Sequence, residues 1–177
     1  MTTLSLHATP RARTVAIEQL RAVGVALRGG GIAFLLALAA GFAFTVAMTL
    51  YYAGTPNMSL AFTFAPSMSA PTLVIALLLP FGVWRSEEPS QRAYHWSMPV
   101  PWSGHALAKL AGGWVWMMLA VAIYLAWFVL LGAVVHLITG EPLRLGEAAA
   151  WWWLLPFTAA TASYLFGSIA LIGSNHP

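Results

Sequence analysis

The sequence contains no cysteine, which excludes disulfides, thiolate metal sites and cysteine nucleophiles and leaves the compartment open. Charge is the second scarcity. Charged residues make up 7% of the 177 residues and hydrophobic ones 60%, against roughly 25% charged in soluble domains. Thirteen charged side chains cannot clothe a water-facing surface, so the chain is expected to be integral to a membrane. Catalytic and cofactor patterns are missing as well. Histidines 7, 95, 105, 136 and 176 include no pair at i, i+4 on a helix and none beside a carboxylate within a span, so no metal or haem site is expected. Glu87 and Glu88 are adjacent and cannot converge on one substrate atom. No glycine-rich phosphate loop occurs, and Gly29–Gly31 reads as a hinge. The chain is therefore expected to be no enzyme and to need no cofactor.

What is present is long apolar sequence. About 20 apolar residues cross a hydrocarbon core as a helix, and four segments qualify: 29–50, 70–84, 111–138 and 148–172. The first, at 22 residues, exceeds the roughly 7–15 residues of a signal-peptide core and reads as a retained anchor. The second is interrupted by prolines: Pro71 suits a helix start, and Pro80 followed by Gly82 should kink its end. None of the four contains a charge, which argues against an ion-coupled carrier. In the fourth, Thr158, Thr161, Gly167 and Ser168 suit helix–helix packing.

Basic residues orient these spans. Arg11, Arg13, Arg21, Arg28, Arg85, Arg92 and Lys109 lie on one side and Arg144 on the other, which places both termini and loop 85–110 in the cytoplasm. The same distribution accounts for the net charge of +3 without nucleic acid. Tyr51, Tyr52 and Trp151–Trp153 form an outer aromatic belt, with Trp84, Trp114 and Trp116 at the inner one. Residues 1–28 form a cytosolic tail and an amphipathic helix. Arg11, Arg21 and Arg28 fall on one face and Ala16, Leu20, Val23 and Leu27 on the other, so the helix should lie along the lipid surface. The fold class is thus an all-α integral membrane protein: a surface helix plus a four-helix transmembrane domain over 29–177, N-in and C-in.

Loop 85–110 is the exception to this apolarity. It holds five of the thirteen charged residues, with three prolines, two tryptophans and two histidines. Residues 90–98 suit two helical turns, Pro99 and Pro101 stop them, and Ser103 suits the N-cap of a helix running into the third span. Aromatic residues amid mixed charge are what a protein-docking element needs. Tyr94, Trp96 and Met98 are its adhesive apolar residues.

The order of surface helix, two spans, cytosolic docking loop and further spans resembles the permease subunits of type-2 ABC exporters. The motif-level likeness is confined to 85–110: Arg85 and Arg92, then Met98-Pro99-Val100-Pro101-Trp102-Ser103, then Ala106-Leu107-Ala108-Lys109-Leu110. The resemblance implies that Glu87, Glu88, Arg92, Tyr94 and Trp96 touch a cytosolic ATPase subunit. It also implies that Pro99, Val100 and Lys109 shape the loop and the approach to the third span. The partners implied are that ATPase and a second permease copy or half, in a bacterial cytoplasmic membrane. Family members have six spans and a basic pair where this chain has Ser103-Gly104-His105, so the likeness is to a truncated or divergent relative. The apolar spans imply an apolar or amphipathic substrate. The alternative is a non-catalytic accessory subunit of a respiratory, photosynthetic or assembly complex, binding neighbouring subunits and lipid through its aromatic faces.

Overall fold

The computed structural model describes residues 12–52, 70–85, 102–140 and 149–174. These contain no strand and form, in order, α1 (Ala12–Ala26), α2 (Arg28–Tyr52), α3 (Ala70–Arg85), α4 (Trp102–Thr139) and α5 (Ala150–Ser174). Three of them, α2, α4 and α5, are long and apolar enough to cross a membrane. α3, expected as a span, has 16 residues. At 1.5 Å per residue that is about 24 Å, short of the roughly 30 Å hydrocarbon core.

Helices α3, α4 and α5 form the bundle. Ala76, Met117, Val121, Tyr124, Leu125, Phe128, Ala160 and Tyr164 are buried together at its centre. α4 runs antiparallel to the other two, so its first third lies beside the end of α3 and the second half of α5 (Gly113 meets both Val83 and Tyr164). Pro71 occupies the second position of α3, where its missing N–H costs nothing. Pro80 lies inside the helix and is fully buried. It packs on α5 because Gly167 has no side chain: a Cβ there would come within 3.2 Å of the proline ring. The small residue expected to serve helix packing does so.

Polar side chains within the helices bond to their own backbone. Thr45, Thr49, Thr139 and Thr161 each donate to the carbonyl four residues back, at 2.8–2.9 Å. Their hydroxyls are thereby satisfied without water, as an apolar surrounding requires. Gly140, with φ +72°, ends α4 in the left-handed conformation that costs glycine nothing, and its N–H bonds the His136 carbonyl at 2.8 Å. Outward, the surface is apolar: Leu36, Phe44, Leu78, Leu137, Leu154 and Phe166 are all exposed. Water covers such a surface poorly, and lipid covers it well.

Several expected boundaries move. α4 begins at Trp102, so Ser103, expected as its N-cap, lies just inside the helix that runs through Lys109 into the apolar stretch. Arg28 opens α2 instead of closing the surface helix, and the break falls at Leu27. The backbone ladder persists across that break, through Leu27 N–H to Val23 O and Gly31 N–H to Leu27 O, so Gly29–Gly31 are helical.

Candidate functional site

The described residues place one group of chemistry-bearing side chains together, where α1, the end of α3 and the start of α4 meet. Lys109 is only 6% exposed. Its ammonium lies 5.0 Å from the centre of the Trp84 ring. A cation held over an indole face is attracted by the ring quadrupole, the more so away from water. Trp84 is the last residue but one of α3 and Lys109 lies in the third turn of α4, so the contact joins the end of α3 to the first part of α4. Lys109 is buried inside the chain.

α1 braces the same corner. Most of the face predicted to rest on lipid meets protein: Val23 is 2% exposed and Leu20 and Leu27 are half-buried, while Ala16 stays exposed. The Trp116 indole donates to the Leu20 carbonyl at 3.0 Å. Its ring covers Gly24, where a Cβ would come within 2.6 Å of it. The Gln19 amide approaches His105 Nδ1 at 3.5 Å. Gly112 lets the α1 backbone approach closely, 3.4 Å from where a Cβ would sit to the Leu20 Cα. Leu27 reaches the space that a side chain at Gly82 would need. On the opposite face Arg21 remains exposed and pairs with Glu18 at 3.7 Å, as the polar face predicts; an exposed pair of this kind contributes little stability.

Tyr164 locks the corner from α5, donating to the Leu110 carbonyl at 3.0 Å. Its hydroxyl occupies the space above Gly113. The three tryptophans expected as an inner belt have partners within the chain: Trp116 bonds α1, Trp84 holds Lys109, and Trp114 donates to Thr161 Oγ1 at 3.2 Å. For Trp114 and Trp116 a satisfied indole N–H accompanies the packing, whereas the Trp84 N–H is buried without a hydrogen-bond partner and that ring is held by packing and by the cation alone. At the far ends Tyr51 and Trp151 are exposed, whereas Trp152 and Trp153 pack against the core. His136 is exposed in the last turn of α4.

Of the residues named from sequence, Glu87, Glu88, Arg92, Tyr94, Trp96, Pro99, Val100 and Arg11 lie outside the described residues. Leu20, Val23, Leu27 and Lys109 converge at the corner; Arg21 and Arg28 face away from it. Sequence reasoning missed Gly24, Gly112, Gly113 and Tyr164. A signal existed: two adjacent glycines inside an apolar helix lower its propensity, and their presence points to close approach on two sides. Among the described residues no three His, Asp or Glu side chains gather as a metal site would need. Compared with protein-family models, curated proteins and solved structures, the chain has no match.

Proposed function

We propose that this chain is the membrane-spanning subunit of an ATP-driven exporter, moved by a cytosolic ATPase through loop 85–110. One observation carries the reading: the Trp84–Lys109 contact at the corner braced by α1 and Tyr164. Because that contact joins the end of α3 to α4, a push delivered at this corner reaches both helices together. In this reading α3 also crosses the membrane, as the second of four spans, both termini face the cytoplasm, and the membrane is a bacterial cytoplasmic one. Glu87, Glu88, Arg92, Tyr94 and Trp96 meet the ATPase; Pro99, Val100 and Lys109 set the path of the chain between them. The substrate is apolar or amphipathic, because the threonines of α2 and α5 are spent on their own backbones.

The test is purification of the intact complex from native membranes in mild detergent. The expected result is recovery of a Walker-type ATPase subunit, lost at least tenfold with Trp96→Ala at equal membrane levels. That loss corresponds to roughly 1.4 kcal/mol or more, within the range of an interface anchor. Undiminished recovery of every cytosolic partner would defeat the coupling role. A second reading, an accessory subunit within a larger membrane complex, is favoured by the bareness of α2, whose apolar stretch has no buried residue. Recovery of several integral membrane proteins and no ATPase would select it.

A further inference from the structure

Packing accounts for the glycines around the corner: Gly24 faces Trp116, Gly82 faces Leu27, Gly112 faces the α1 backbone, Gly113 faces Tyr164, and Gly167 faces Pro80. It does not account for Gly29, Gly30 and Gly31. A Cβ at any of the three would meet nothing within 4 Å. They stand in the first turn of α2, directly after the break at Leu27, where three glycines weaken a helix most and nothing packs to compensate.

The helix that follows them is the one the bundle holds least. None of its 18-residue apolar stretch is buried, against 39% in α4 and 22% in α5. The buried core residues come from α3, α4 and α5. α2 meets the core where Phe34 and Leu38 lie against it, with the Trp127 indole donating to the Leu38 carbonyl at 3.0 Å and its ring facing Gly41. Near the far end Thr49 is its one buried residue, its hydroxyl bonded to the Thr45 carbonyl. The preceding helix is fastened differently. α1 has Trp116 on Leu20 and Gly24, the close crossing at Gly112, and a buried Val23. A well-fastened helix, an uncrowded glycine triplet and a lightly held helix follow one another in sequence.

We propose that Gly29–Gly31 form a pivot on which α2 swings away from α4 while α1 stays latched. The swing opens the α2–α4 seam beyond Trp127. The lever is long: the twenty residues from Gly30 to Leu50 span about 30 Å, so a bend of about 10° carries the far end about 5 Å. The inference rests on α2 crossing the membrane and is independent of any ATPase.

The chain has no cysteine, so labels can be placed at will. Leu50 and Leu137 are exposed, at 60% and 81%, near the corresponding ends of α2 and α4. Spin labels on Leu50→Cys and Leu137→Cys, in full-length protein diluted with unlabelled chain in lipid nanodiscs, report the distance between those ends. The expected result is two distance populations, about 5 Å apart. The Gly29→Ala, Gly30→Ala, Gly31→Ala triple variant should collapse them to the shorter one, and Trp127→Phe should enlarge the longer one at least threefold. One narrow distance, unmoved by the triple alanine, overturns the pivot. So does a triple variant that misfolds, since the added methyl groups would then have met something. A triple variant that changes the number of chains per nanodisc but not the distance also overturns it, and gives the glycines to a contact with a second copy. Should Trp127→Phe not fold, the alanine comparison decides alone.

Discussion

The hydroxyl of Tyr164 fills the space that any side chain at Gly113 would occupy, and donates its proton to the Leu110 carbonyl one turn earlier on the same helix. Glycine at 113 and tyrosine at 164 are thus one choice made twice. Gly113→Ala should destabilise the bundle by about 1–3 kcal/mol, the usual cost of overpacking. Tyr164→Phe alone loses one hydrogen bond, about 1 kcal/mol. The double variant should be more stable than the sum of the two implies, because removing the hydroxyl makes room for the methyl group. Thermal stability followed by size-exclusion in detergent checks the cycle; strict additivity would show that the two residues do not compete for space.

Trp116 fastens α1. Trp116→Phe removes the indole donor to Leu20 and part of the cover on Gly24. A cysteine at Val23, buried in the native chain, should then react with a maleimide at least fivefold faster. Leu20→Glu should lower membrane yield more than Arg13→Ala does, since its carboxylate is driven into the α1–α4 contact. Unchanged Val23→Cys reactivity in Trp116→Phe would mean that α1 is held elsewhere.

Lys109 and Trp84 should be energetically coupled. Lys109→Met exchanges a buried charge for an apolar side chain of similar length, so the cost of desolvating the ammonium disappears along with its attraction to the ring. The net change is expected to stay within about 1 kcal/mol. The double-variant cycle with Trp84→Leu should return a coupling of about 0.5–2 kcal/mol. Denaturation in mixed micelles measures it, and a coupling of zero would detach the cation from the ring.

The proposed topology has a direct test. Single cysteines at Ser90 and Thr55 should be labelled by an impermeant reagent from opposite sides of intact cells and inverted vesicles. Equal labelling of both from one side would refute four spans with both termini inside.

What the sequence by itself determined is the helical, apolar character of the chain and the rough extent of each helix. Runs such as 29–50 and 148–172 are local properties. A continuous apolar run of that length satisfies its own backbone groups in an apolar surrounding only as a helix, since a barrel strand is about half as long and needs neighbours. It also marked the amphipathic helix around Leu20 and Val23, where charged and apolar residues alternate with a readable period. What that apolar face meets was decided only by the tertiary structure, because the pattern says "not water" and leaves lipid and protein equal. The same limit explains Trp84, Trp116, Gly112, Gly113 and Lys109. Within α4 both faces are apolar, so no contrast in polarity tells which side meets a neighbour. That side is set by shape, through glycines that admit a backbone or a ring, and by indole and phenol donors that need a carbonyl. Such partners lie as far apart in the chain as Leu20 and Trp116, and only the folded structure brings them together.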